Sequence, residues 1–297
     1  MKKKRRYSKL HTSGVNPQRF SKGQIKFYIY IIPIAAFMIL PIIFITMNAF
    51  KPIDEIFAYP PRFFVKTPTF DNFKQLFSVS SETNIPASRY LFNSIITTIA
   101  VMVTTLLLSS AAGYILSKKE FKLKKTLLTI NNIALMFVAI SVAIPRYFVI
   151  VYSGLQDNIL ANIAPLLAMP VGLFLVKQFI DQIPNALVEA AVIDGANDYK
   201  ILTKLIIPLI KPALATVAIL AFQISWNNTE ASTLYINQET LKTFAFYMSS
   251  LQNKTGNLIA GQGIAAVATL IMFLPNLILF IILQSQVMNT MAHSGLK

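Results

Sequence analysis

The chain has no cysteine and only two histidines, His11 and His293, which lie close to its two ends. The first absence excludes a disulfide framework and a thiolate metal site. The second leaves no imidazole-based catalytic or metal-binding constellation. Charge is scarce as well, with 13% of residues charged against about a quarter in an ordinary soluble domain. Acids are the rarer sign, 12 against 27 basic residues, for a formal net charge of +15. No Gly-x-x-x-x-Gly-Lys-Ser/Thr run is present, so the chain has no phosphate-cradling loop of that kind with which to hold a nucleotide.

What is abundant is apolar sequence, at 55% of residues and a mean hydropathy of +0.57. A bilayer core about 30 Å thick takes about 20 apolar residues in a helix. Stretches of that order recur at 27–50, 92–117, 126–150, 158–180, 205–228 and 264–287. The expected fold class is therefore all-α: a polytopic membrane protein of six transmembrane helices, with 27–297 as its membrane domain. The first stretch is too long, and lacks the small-residue cleavage site, to be a removable signal peptide. The basic residues cluster at the ends of apolar stretches, with aromatics inside those stretches. That is not the solvated basic face that nucleic acid needs, so no nucleic-acid partner is expected.

Lys and Arg set the orientation. With both termini cytoplasmic, segments 1–26, 118–125, 177–211 and the tail hold 19 of the 27 basic residues. Residues 1–26 then form a basic cytoplasmic arm on the inner leaflet, where anionic lipids favour Lys and Arg. Two outer segments, 51–89 and 230–263, are long enough to be structured. Lys177 and Asp181 stand at the spacing of a helical ion pair.

The most informative stretch is 183–212, reading IPNALVEAAVIDGANDYKILTKLIIPLIKP, on the cytoplasmic side between spans four and five. Two helical parts meet at Gly195, where glycine permits a sharp turn. Ala186, Ala190 and Ala191 offer small surfaces for close approach. Ile201, Leu202, Leu205 and Ile206 recur at helical spacing toward the membrane. Pro184 suits a first helical turn, and Asp194 is a candidate cap for the second helix. An amphipathic connector lying on lipid is one reading. Glu189, Asp194 and Asp198 would then face anionic headgroups, so an acidic, small-residue docking surface for a basic protein groove is the other.

Glu189-Ala190-Ala191, then Asp194-Gly195-Ala196, and later Pro208 resemble the EAA loop of prokaryotic ABC-importer permeases. Leu202 stands where that family has an aromatic. Further matches point to its carbohydrate branch, specifically the second permease subunit of maltose-type systems: Phe50-Lys51 through Pro60-Pro61, Pro68 to Phe73, Asn93-Ser94 and Trp226-Asn227. A departure follows, since Asn228-Thr229-Glu230-Ala231 stands where the branch has bulky apolar residues and a proline.

The resemblance implies a permease subunit of an importer that works by alternating access. The segment before Gly195 would seat in an ATPase subunit, with Glu189 paired to an Arg there. ATP and Mg would bind that partner, leaving no cofactor and no enzymatic activity in this chain. The implied partners are a sister permease in a heterodimer, two ATPase subunits, an extracytoplasmic sugar-binding protein and the bilayer. The implied location is the bacterial cytoplasmic membrane. The same loop would serve a permease for amino acids or peptides, and a proton-coupled carrier would call for ionisable residues in mid-span. Polar in-span residues are candidates for the substrate pathway: Asn131, Asn132, Gln223, Asn227, Asn228 and Asn276. Trp226 and Tyr235 join them for their sugar-stacking faces. Interhelical hydrogen bonding is the competing reading for each. The outer loop of Ser249, Gln252, Asn253, Lys254, Thr255 and Gly256 is either a probe of the binding protein or a solvated loop.

Overall fold

The computed structural model describes residues 25–78, 85–255 and 261–294, with side chains left aside at 139, 252–255 and 288–294. The basic arm up to residue 24 and Gly256 therefore lie outside the described residues. Those described form helices and connectors, with no strand among them. The helices are α1 (Ile25–Ala49), the short α2 (Ile53–Ile56) and α3 (Asp71–Phe77), α4 (Ala87–Lys118), α5 (Lys124–Met136) and α6 (Ala143–Tyr152). Then come α7 (Ala164–Leu167), α8 (Pro170–Asp181), α9 (Asn185–Ile193), α10 (Asp198–Lys200), α11 (Ile207–Leu209) and α12 (Lys211–Trp226). The chain ends with α13 (Glu230–Leu234), α14 (Phe244–Thr255) and α15 (Gly261–Ser294).

The chain divides into two units, Met1–Phe44 and Ile45–Lys297. In the first, the described part of α1 is apolar and exposed all round, and the helix runs on through Pro33 and Pro41.

Within the second unit, α4 is the central element and packs chiefly on α8 and α12. Its sequence explains the placement. Tyr90, Ser94, Thr97, Thr98, Val101, Thr105 and Ser109 recur at helical spacing and are all buried. Phe92, Ile95, Ile99, Val103 and Leu107 form the opposite, exposed face. In lipid, apolar side chains gain little by meeting one another, so small and polar residues that allow close packing and interhelical hydrogen bonds hold helices together. Ser225 on α12 donates to Thr98 at 3.3 Å. Gly113 brings α4 against α8 so closely that an added Cβ would lie 2.8 Å from Val176 Cγ1.

Three unbroken helices are long and apolar enough to cross a membrane: α1, α4 and α15 from Gly261 to Val287. The other three expected spans are each broken. The α5–α6 pair bends by 110°, the segment through α7 and α8 by 43°, and the segment from Asp198 through α12 by 84°. The count reaches six only if each bent pair is one span. Two of the breaks have a local cause. Met169 precedes Pro170 and takes ψ 86, because the proline ring disfavours helical geometry in the residue before it. The break at Ile210 lies between Pro208 and Pro212, each of which has no N–H and a ring that crowds the carbonyl four residues back. The turns before it widen into a π-helix, Ile201–Ile206, with the Ile207 N–H bonded to the Leu202 carbonyl.

Beyond α1, a cap forms from connectors. Lys51 is buried, and its ammonium donates to Asn48 at 2.8 Å and to the Arg62 carbonyl. Asn72 donates to the carbonyls of Ala49 at 3.1 Å and Lys51 at 2.7 Å. Gly263 of α15 lies against that amide, where any Cβ would come within 2.5 Å of Asn72 Oδ1.

Candidate functional site

The segment singled out in the sequence folds as two arms around a glycine turn. The first arm is α9, opened by Pro184 and closed at Asp194, whose N–H reaches the Ala190 carbonyl. Gly195 follows with φ +76 and open space around it, a conformation that favours glycine. The second arm starts at α10. Its N-cap is Asn197, whose side chain accepts from the Lys200 N–H at 2.9 Å. Asp194 does not take that role, because it still belongs to the first arm's last turn.

Each arm presents one face inward. Val188, Ala191, Ala196, Leu202 and Leu205 pack on a buried cluster of Tyr114, Val176, Ile180, Ile183, Ile201 and Ile206. The outward surface of the first arm and turn holds Glu189, Ala190, Asp194 and Gly195, all exposed. Leu187 is 46% exposed, Val192 56% and Ile193 85%. No ion pair holds Glu189 among the described residues. An apolar edge, small residues and an unpaired carboxylate thus share one surface, in the pattern of a docking face. Pro208 lies in α11, just before the bend into α12.

Residues the sequence reading did not single out hold this segment in place. At the end of α4, Ser117 donates to Asp181. Lys118 donates to the Ile183 carbonyl and, at 2.9 Å, to Asn185 Oδ1. Tyr114 donates to Asp198 Oδ1 at 2.8 Å, and Lys119 pairs with the same oxygen at 2.6 Å. Lys177 pairs with Asp181 at 2.6 Å, as its spacing suggested.

The polar in-span candidates fall in three places. Asn131 donates to the Pro170 carbonyl at 3.4 Å and lines a cavity of about 200 Å³ with Ser109, Leu167 and Met169; Asn132 beside it is exposed. Trp226 is buried, and its indole N–H donates to the Met272 carbonyl at 3.0 Å. Asn276 donates to that same carbonyl at 3.0 Å. Gln223 and Asn227 are exposed near the end of α12, the Asn227 amide donating to the Gln223 carbonyl at 2.9 Å. Asn228 Oδ1 accepts from the Ala231 N–H at 2.9 Å, at the start of α13. Tyr235 is buried in the third place, donating to Glu230, which also pairs with Arg146 at 3.1 Å.

Of the outer-loop candidates, Ser249 bonds back to the Phe246 carbonyl at 3.0 Å in α14. Gln252, Asn253, Lys254 and Thr255 continue that helix, and their side chains lie outside the described residues.

Apolar helices, some broken in mid-course, together with a tethered two-arm segment that exposes an unpaired acidic face, give an all-helical protein with membrane-length apolar helices and one candidate docking surface. The chain belongs to the family described as the binding-protein-dependent transport system inner membrane component, whose pattern matches residues 106–287. It is 26% identical to the arabinooligosaccharides transport system permease protein AraQ of Bacillus subtilis, over 95% of this chain and 98% of that one. Among solved structures it resembles a chain of a bacterial ABC transporter involved in import of the acidic polysaccharide alginate. There the TM-score is 0.73 at 21% identity, covering 90% of this chain and 98% of that one. A further structure, of a bacterial alginate ABC transporter in complex with a periplasmic protein bound to alginate pentasaccharide, aligns with a TM-score of 0.56 at 16% identity. It covers 88% of this chain and 93% of its own. Both structural likenesses concern the fold.

Proposed function

We propose that this chain is a permease subunit of an ATP-driven, binding-protein-dependent importer of an oligosaccharide or other carbohydrate. It alternates between inward- and outward-open states, while ATP and Mg are bound and ATP is hydrolysed on separate ATPase subunits. Both termini lie on the cytoplasmic side, as the distribution of Lys and Arg favours. The assembly comprises a sister permease, two ATPase subunits and an extracytoplasmic sugar-binding protein in the bacterial cytoplasmic membrane. The relative named for arabinooligosaccharides supports the carbohydrate reading. The single observation that carries the coupling role is the exposed first arm, with Glu189 unpaired beside Ala190 and the Gly195 turn.

The ATPase-facing surface is then Glu189, Ala190, Asp194 and Gly195, with Ala191 and Ala196 seating the segment from its inner face and Pro208 setting the angle at which motion enters α12. Glu189 meets an Arg of the ATPase subunit. The test is co-purification of the ATPase with Glu189→Arg, where loss is expected; retention together with full transport refutes the docking role. For the cargo, the reconstituted complex with its binding protein should show ATPase activity stimulated by a saccharide. Stimulation by an amino acid alone removes the carbohydrate reading.

A further inference from the structure

The two arms of the coupling segment are tied to one place, the last turns of α4. Before the Gly195 turn, Ser117 and Lys118 hold Asp181, the Ile183 carbonyl and Asn185. After it, Asp198 Oδ1 receives both the Tyr114 hydroxyl at 2.8 Å and the Lys119 ammonium at 2.6 Å. The two donors differ in kind. Tyr114 is 3% exposed and fixed among Val176, Ile180 and Ile201, whereas the Lys119 side chain is 43% exposed. A carboxylate oxygen shared by a fixed phenol and an ammonium has a set position and direction, which a lone surface pair does not. The Asn197 cap orders the backbone on which Asp198 stands. Asp198 is thus directed at the end of α4.

We infer that Asp198 is a positioning residue for energy coupling. With Tyr114 and Lys119 it latches the second arm to α4, so that displacement of α9 by the ATPase is delivered to α4 as well as along the chain into α12. The first arm's tie through Ser117 and Lys118 completes a two-point hold, and the Gly195 turn between the points moves as one piece with α4. This rests on the coupling role proposed above. Without the Asp198 latch, the second arm slips against α4, and ATP is hydrolysed with less cargo moved.

The test uses the complete importer in vesicles with its binding protein, with transport and ATP hydrolysis measured on the same sample. Asp198→Asn is expected to co-purify with the ATPase and to lower saccharide moved per ATP about threefold, the scale of a partly exposed pair. Tyr114→Phe should shift that ratio in the same direction. Lys119→Asp combined with Asp198→Lys should recover part of the transport-to-ATP ratio that either single change loses, with ATPase co-purification unchanged throughout, whereas a merely structural defect lowers co-purification along with transport. An unchanged transport-to-ATP ratio in Asp198→Asn overturns the latch. So does a double variant no better than its singles. If the wild-type importer itself shows no saccharide-stimulated hydrolysis, the proposed function fails instead.

Discussion

Gly113→Ala gives the sharpest check on how α4 and α8 are joined. An added Cβ would sit 2.8 Å from Val176 Cγ1, 3.4 Å from Ile180 Cδ1 and 3.5 Å from the Lys177 amide nitrogen. Carbon atoms rest about 3.5–4.0 Å apart, so the Val176 methyl must withdraw by about 0.7 Å at least. It has little freedom to do so, being fully buried and β-branched on a helix, where χ1 has essentially one rotamer. The backbone of α8 must therefore shift, and overpacking of this kind costs about 1–3 kcal/mol. One or two kcal/mol changes the folded-to-unfolded ratio about 5- to 30-fold. The assay is thermal loss of monodisperse complex in detergent, compared with Gly172→Ala. There the nearest atoms are Val217 Cγ1 at 3.2 Å and, at 3.3 Å, Met169 Sδ and Ser109 Oγ. The looser contacts and the pliant thioether make the second change milder. Adding Val176→Ala to Gly113→Ala should return part of the loss. If Gly113→Ala is as stable as the wild type, or Gly172→Ala is the worse variant, the close-contact reasoning is refuted.

Two further outcomes are expected. Trp226→Phe removes the 3.0 Å bond from the indole to the Met272 carbonyl and should lower stability by about 1 kcal/mol, with the saccharide concentration for half-maximal stimulation unchanged. A shift in that concentration would place the ring in the substrate pathway. Acid should loosen two connectors. Glu55 is held below the usual carboxylate range first by the Lys66 N–H and then by the Thr67 hydroxyl, and Asp157 by the N–H groups of Asn237 and Gln238 and the Asn237 side chain. A depressed folded pKa gives stability that is present in full above the unfolded value, about 4. That stability is lost as pH falls through the folded one. Protease cleavage within 51–78 and near 157 should therefore rise below about pH 4, and less so in Glu55→Gln and Asp157→Asn. Protection that is flat across that range refutes it.

Much of this was readable in the residues themselves. The unbroken helices α1, α4 and α15 coincide with apolar runs, and the two helical parts meeting at Gly195 were legible in the glycine and in the apolar spacing after it. Apolar content does not encode the breaks, because a bent pair and a straight helix bury similar side chains. Prolines stand at two of them, Pro170 at one and Pro208 with Pro212 at the other. The α4 anchors were hidden for another reason. Lys118 and Lys119 carried weight only as orientation charges, and the partner of Tyr114, Asp198, lies 84 positions along the chain. Trp226 shows the converse, since its residue type gives no sign of whether the ring faces a pathway or a neighbouring helix. Burial against Met272 depends on the register of α12 on α15.

The ties at the 114–119 end of α4 have a counterpart at its other end. There Arg89 and Asn93 donate to the Thr240 carbonyl, Asn93 also to that of Lys242, Tyr90 donates to Glu239, and Ser94 accepts from the Phe244 N–H. Both sets belong to one helix of 32 residues with no internal proline, a rod about 48 Å long at 1.5 Å per residue. Tilted by about 5° around one end, such a rod carries the other through about 4 Å. A small rotation at the 114–119 end of α4 would thus reach the 239–244 connector as a shift of several ångströms, about 4 Å for such a tilt, through leverage alone, with no relay of side chains changing partners in between.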